Sequence, residues 1–293
     1  MKTTMFEGLY TALVTPFDKS GLVNETELKN LIEFQIQSGV DGYFVGGSTG
    51  ESFLMTLEER KKLLESVVKY NGGKKKIIAH IGAISNELTK ELGRHAIETG
   101  ADALSAVLPF YYGFTVDQYR RYYEDIADDL GVPVMVYYMP SAIGHTLSIN
   151  DFEKLLSSDA IHGFKYTHTD YYTFERIRKS HPAMTALNGC DECLLCGLIN
   201  GASGGVGASY NFMPKKIRKL YEAYKSNDLV SAQTLQHEIN AVLECVFKHG
   251  TIASCKELLR YQGVEAGDCR GPFSPLHEAA RSELKSVYME YGR

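Results

Sequence analysis

No apolar run in this sequence approaches the roughly 20 residues needed to span a bilayer, so no membrane helix is expected. The start, Met1 to Phe6, lacks a charged stretch followed by an apolar one. No signal peptide is therefore expected, and the cytosol is the expected location. A basic excess is also absent. Thirty-one Lys and Arg face 36 Asp and Glu, for a net charge of −5. That argues against a nucleic-acid surface but leaves room for an anionic small substrate, because lysines and backbone N–H groups can make a pocket locally positive. The nine histidines include no H-x-x-x-H or H-E-x-x-H pairing, so no metal site is supported. Six cysteines in a cytosolic chain are expected to be reduced thiols. Cys190, Cys193 and Cys196 have a spacing that can hold an iron–sulfur cluster or zinc. No fourth cysteine lies near them, and ordinary buried thiols are the preferred reading.

The chain has 293 residues, 44% hydrophobic and 23% charged, enough for a large core. The sequon Asn24-Glu25-Thr26 reads better as a helix start, with Asn24 as cap and Glu25 and Glu27 in the first turn. No Pro/Gly/Ser linker interrupts the first 225 residues. One unit recurs instead: a short apolar run, a polar loop, an amphipathic helix. The apolar runs are 10–17, 42–47, 76–81, 103–109, 133–140, 161–167, 184–188 and 204–209. Helical patterns fall at 27–38, 57–70, 86–99, 116–130, 150–157, 172–180 and 213–224. The strand-like runs are apolar throughout rather than alternating, as in a parallel sheet covered on both faces. Eight such units predict an α/β fold, a closed (β/α)8 TIM barrel over residues 1–227. A doubly wound open sheet is the alternative, weakened by the lack of G-x-G-x-x-G after the first run. Helical patterns at 229–248, 252–261 and 274–291 predict a C-terminal helical extension over 228–293.

In such a barrel, chemistry collects at the C-terminal ends of the strands. Those ends carry Gly46-Gly47-Ser48-Thr49-Gly50-Glu51, Pro109-Phe110-Tyr111-Tyr112, Tyr137-Tyr138-Met139-Pro140, Lys165 with Thr167, Asn188-Gly189-Cys190-Asp191-Glu192, and Ala208-Ser209-Tyr210-Asn211. Lys165 lies in an apolar run. Burial disfavours an ammonium, and a neutral amine attacks a ketone to form a Schiff base. A lysine snorkelling to solvent fits the same pattern. The Gly46–Glu51 turn can cradle a carboxylate or phosphate on its N–H groups and on Ser48 and Thr49, or can be only a tight βα turn. It lacks the Gly-Lys-Ser/Thr end of a Walker A loop. Tyr137 and Tyr111 are candidate proton carriers among 19 tyrosines, most of which must serve packing. Asp191 and Glu192 can hold a polyol or can merely open a helix. His80 and His168 are read as structural.

Together, the Gly46–Glu51 motif, Tyr137-x-x-Pro140, and Lys165 about 28 residues after that tyrosine resemble the N-acetylneuraminate lyase and dihydrodipicolinate synthase superfamily of pyruvate-dependent class I aldolases. The resemblance covers residues 7–225 and, more loosely, the helical tail. It implies that Lys165 is the Schiff-base lysine, Tyr137 the proton shuttle, and Ser48 and Thr49 the carboxylate-binding pair. It further implies that Tyr111 is presented to a neighbouring subunit of a homotetramer. The synthase branch places an arginine two residues after the motif's proline, where this chain has Ala142. Gly189, Asp191 and Glu192, with Thr167 and Tyr210-Asn211, resemble the sialic-acid branch, in which the acidic pair binds the polyol tail. Tyr138 and Ala208 stand where that branch has Asn and Ser, and the second change removes a hydroxyl near the expected tail.

The resemblance thus implies cleavage of a sialic acid such as N-acetylneuraminate to pyruvate and N-acetylmannosamine, with no cofactor, because the iminium is itself the electron sink. A 2-keto-3-deoxy sugar acid aldolase, a dihydrodipicolinate synthase and a non-catalytic pyruvate-binding protein are the alternatives.

Overall fold

The computed structural model describes residues 6–292. Most of the Met1–Phe6 start, namely residues 1–5, lies outside the described residues. Eight parallel strands close into a barrel in the order β1 to β8: Gly8–Ala12, Gly42–Val45, Lys76–His80, Ala103–Val107, Val134–Tyr138, Ile161–Tyr166, Thr185–Asn188 and Gly204–Gly207. The helices are α1 Glu25–Gln37, α2 Leu57–Asn71, α3 Asn86–Thr99, α4 Val116–Leu130, α5 Pro140–Ile143, α6 Ile149–Leu156, α7 Tyr171–Ser180, α8 Leu194–Ile199, α9 Pro214–Lys225, α10 Leu229–His249, α11 Thr251–Leu259 and α12 Glu278–Val287. Each strand is followed by helix before the next strand begins, which is the expected TIM-barrel alternation.

Helix boundaries follow local chemistry. Asn24 caps α1 by accepting from the Glu27 N–H, with Glu25 and Glu27 in the first turn. Thr56 with Glu59, Thr115 with Gln118 and Ser148 with Asp151 form reciprocal capping boxes on α2, α4 and α6. Gly72, Gly100 and Gly131 end α2, α3 and α4 in left-handed conformations that cost glycine little.

Two compact units emerge from the contacts, Met1–Gly8 with Ile77–Val206 and Leu9–Lys76 with Gly207–Arg293. In the first, β4 to β7 pair in parallel, with Tyr137 opposite Lys165 and Lys165 opposite Leu187. A register shift at Val134/Met135 precedes the Tyr137 end of β5. In the second, β1 pairs with β2 and the C-terminal helices α10, α11 and α12 pack together. The final helix begins at Glu278, later than the residue 274 expected from sequence, because Pro275 biases Ser274 away from helical backbone and the segment 274–277 stays irregular. No helix among the described residues is long and apolar enough to cross a membrane.

Within the first unit, the start of β8 touches the start of β1. Gly8 N–H donates to the Ser203 carbonyl at 2.9 Å. A Cβ at Gly204, whose φ is +156°, would overlap the Gly8 backbone. Gly204→Ala should therefore destabilise the fold by at least about 2 kcal/mol, the upper range for a single substitution. Urea unfolding would measure this, and an unchanged midpoint would show that the backbone relaxes freely there.

Candidate active site

Lys165 lies on β6, between Phe164 and Tyr166 in sequence, and is only 5% exposed. Its Nζ is 3.9 Å from the centroid of the Tyr137 ring, on the adjacent strand. The snorkelling alternative is thus not what the fold adopts. An amine held over an aromatic face, largely shielded from water, is confined to a narrow set of positions. The Tyr137 hydroxyl donates to Met139 Sδ at 3.4 Å, a weak acceptor that a substrate oxygen would outcompete. His80 meets the Tyr137 ring edge-on at 5.8 Å, and its Nε2 accepts the Val107 N–H at 3.2 Å. His80 therefore supports the tyrosine, in keeping with its structural reading.

Thr167 follows β6, and its N–H donates to the Tyr138 carbonyl at 2.9 Å. Its Oγ1 is buried and has no hydrogen-bond partner among the described residues. A buried unpaired hydroxyl costs on the order of 1–3 kcal/mol, so a ligand oxygen has something to gain there. Gly189 explains how the hydroxyl keeps its place. The Gly189 N–H donates to the Tyr166 carbonyl at 2.8 Å, and a Cβ at this position would collide with Thr167 Oγ1. Asp191 is buried and Glu192 half-buried in the single 3-10 turn Asp191–Cys193 before α8. Asn188 brackets that turn: its Nδ2 donates to the Cys190 carbonyl at 2.7 Å and its Oδ1 accepts from Tyr171 Oη at 2.7 Å.

The cysteine run is divided. Cys190 is buried, Cys193 half-buried and Cys196 exposed, so burial holds for only part of the run. Burial pushes the Cys190 thiol up, and burial with help from Glu192 pushes Cys193 up to about 11. Both are protonated near neutrality, as ordinary thiols are.

Tyr111 projects from the loop after β4, 83% exposed, in a left-handed backbone at φ 80°. Tyr112 packs edge-on against it at 5.0 Å. Tyr138 points elsewhere: its hydroxyl accepts the Leu147 N–H at 3.1 Å and its ring packs on Phe152 and Tyr166. It is a packing residue.

In the second unit, Ser48 and Thr49 are half-buried in the 3-10 turn that follows β2. This turn is held from beneath. The Thr15 hydroxyl donates to the Gly50 carbonyl at 2.7 Å. Glu51 occupies a left-handed backbone conformation, φ 60°, and its side chain is fully buried. Its carboxylate takes Lys256 Nζ, from α11, at 2.7 Å and the Arg270 N–H at 2.7 Å. Lys256, 1% exposed, also donates to the Asp268 carbonyl at 3.0 Å and lies over the Phe17 ring. Arg270 reaches Glu59 and the Leu54 carbonyl. Sequence reasoning identified the turn but not Lys256 or Arg270, since nothing local to positions 256 and 270 points back to residue 51.

Removing one partner of a buried ion pair strands the other, at a cost of about 3–5 kcal/mol. Lys256→Met should cost that much, while the double variant Glu51→Gln/Lys256→Met should recover a large part of it. Chemical denaturation of both single variants and the double variant tests this, and a double-variant loss equal to the sum of the two single losses would mean that the charges are not coupled.

With this geometry in hand, the chain can be set beside known proteins. The model of the dihydrodipicolinate synthetase family matches residues 5–290. N-acetylneuraminate lyase from Escherichia coli (strain SMS-3-5 / SECEC) is 39% identical over 286 residues, 97% of this chain and 96% of that protein. The crystal structure of CdNal from Clostridium difficile in complex with mannosamine superposes with a TM-score of 0.94 at 34% identity, covering 98% of this chain and all of the other. N-acetylneuraminate lyase from Fusobacterium nucleatum complexed with pyruvate gives 0.93 at 31% identity, covering the whole of both chains. A barrel with a buried lysine beside a strand-end tyrosine, matched along nearly its full length, belongs to the dihydrodipicolinate synthetase family.

Proposed function

We propose that this protein is a class I aldolase that cleaves N-acetylneuraminate reversibly to pyruvate and N-acetylmannosamine. The observation that carries this is the placement of buried Lys165 against the Tyr137 ring, with Asp191 and Glu192 at the end of the next strand. The similarity to N-acetylneuraminate lyases supports the substrate class.

The chemistry follows from these groups. Lys165 Nζ adds to the C2 ketone of the open-chain sugar acid, and loss of water leaves an iminium. The Tyr137 oxygen takes the proton of the C4 hydroxyl. The C3–C4 bond then breaks, its electron pair moves onto the iminium as an enamine, and N-acetylmannosamine departs as an aldehyde. Protonation of the enamine at C3 and addition of water at C2 release pyruvate and restore the amine. Ser48 and Thr49, with the N–H groups of their turn, hold the ketoacid carboxylate. The Thr167 hydroxyl, given its room by Gly189, bonds a substrate oxygen. Asp191 and Glu192 accept hydrogen bonds from the polyol tail. Ala208 offers no hydroxyl, so the tail relies more heavily on that acidic pair.

The catalytic barrel spans residues 1–227, and residues 228–293 form a helical extension that steadies the Ser48–Thr49 turn through Lys256. The exposed Tyr111 and Tyr112 are the side chains that a neighbouring subunit would cover in a homotetramer. The enzyme acts on small molecules in the cytosol and needs no organic cofactor.

Two variants separate binding from bond cleavage. Pyruvate with borohydride should trap a covalent adduct in the parent and in Tyr137→Phe, whereas Lys165→Ala should trap none. Tyr137→Phe should lose at least about a hundredfold in kcat for pyruvate release from N-acetylneuraminate, the low end for a lost acid–base group. Cleavage at the parent rate would remove Tyr137 as the proton shuttle.

Glu192→Ala should raise KM for N-acetylneuraminate by roughly tenfold, given about 1–3 kcal/mol for an unpaired polar group. Trapping of pyruvate should be unaffected. Unchanged kinetics would reduce Glu192 to a residue of the turn.

A further inference from the structure

One cluster of ligand-type side chains lies apart from everything used above, on the C-terminal helices. Cys245 and His249 are four residues apart on α10, so they share one face of the helix. Glu283 of α12 faces them. One ligand atom from each, the thiol sulfur, an imidazole nitrogen and a carboxylate oxygen, lies within 4.8 Å of the other two. His249 Nε2 is 2.9 Å from Glu283 Oε2. Cys245 is 5% exposed and the His249 side chain 17%, so two of the three are already withdrawn from water.

We propose that Cys245, His249 and Glu283 form a binding site for a zinc-type divalent cation that clips α10 to α12. A thiolate and an imidazole select a borderline-soft ion over calcium or magnesium, which take oxygen ligands. Zinc bonds of about 2.3 Å to sulfur and about 2.0–2.1 Å to nitrogen and oxygen, set tetrahedrally, place sulfur about 3.6 Å from its neighbours and nitrogen about 3.4 Å from oxygen, so the sulfur has to close in by up to about 1 Å while Nε2 and the carboxylate oxygen open by about 0.5 Å. That is within the reach of side-chain rotation. On binding, the thiol gives its proton to solvent, the neutral imidazole contributes Nε2, the carboxylate contributes one oxygen, and water completes the tetrahedron. The competing group is Lys248, whose Nζ bonds both Glu283 oxygens at 2.7 and 2.9 Å. Its side chain is 61% exposed, so it can turn to solvent with little loss, as surface ion pairs contribute little. The cation would brace the tail and take no part in the aldol chemistry.

Cobalt(II) reports directly on sulfur ligation. The full-length protein, stripped by chelation and kept reduced, is titrated with cobalt(II) and then with zinc. The expected result is a thiolate-to-cobalt charge-transfer band that saturates at one cobalt per chain and is displaced by zinc. Cys245→Ser should lose the band, and His249→Gln should weaken cobalt binding at least tenfold. Both replacements are close in size, and a thermal melt without metal checks that each folds. Zinc should raise the melting temperature of the parent but not of Cys245→Ser. Absence of a band in the parent would show that the three side chains are only an ion-pair cluster. A band that persists in Cys245→Ser would place the metal on other thiols. Either result overturns the proposal.

Discussion

Closure of a parallel sheet on itself is the constraint on which this molecule depends. A parallel edge is a row of unpaired N–H and C=O groups, and a closed barrel has none. The parallel direction of the strands makes them finish on the same rim, so groups from successive strands are delivered at similar heights. Tyr137 and Lys165 illustrate this: they are register partners on β5 and β6, and their proximity follows from strand pairing alone. The same geometry makes backbone close-approach points indispensable. Gly204 against Gly8 and Gly189 against Thr167 are two, each at a place where a methyl group would displace backbone or a site hydroxyl.

Much of this was legible in the sequence because the apolar runs are continuous. All eight expected strands and all seven expected barrel helices exist, with ends shifted by a few residues. The largest strand discrepancy, 10–17 against Gly8–Ala12, has a physical cause. Leu13, Val14 and Phe17 are buried beyond the end of β1, where only Leu13 N–H still reaches the Phe44 carbonyl of β2 and Phe17 makes an isolated bridge with Val23, so hydrophobicity marked burial further than it marked the strand. Val14 N–H instead donates to the Asn211 side chain at 3.1 Å. Helix α8 carries no strong period because it is only six residues long and contains Gly197, which packs beneath Asn188.

The chemically distinctive residues could be found because they form motifs with fixed spacing. Their supports could not. Asn188 and Asn211 act by hydrogen-bonding backbone across loops, and an asparagine in such a role has no local signature. The Glu51–Lys256 pair joins positions with no periodic relation. A lysine 1% exposed in the middle of an amphipathic helix looks from sequence like one more polar residue on the outer face. Thr167 was legible by its position two residues after Lys165. That its hydroxyl is buried and unpaired is a property of the Gly189 backbone beside it.

The Glu51 carboxylate has a temporal side as well. It is made early on the ribosome, but the Arg270 N–H it accepts is encoded 219 positions later. At about 5–20 residues per second the nascent chain waits roughly 10 to 40 s before that partner exists. During this interval an acidic side chain destined for complete burial lacks both of its partners, and the turn bearing Ser48 and Thr49 is held only by earlier residues such as Thr15. The Glu51 end of this turn therefore reaches its final bonded arrangement only after the residues around Lys256 and Arg270 have been made.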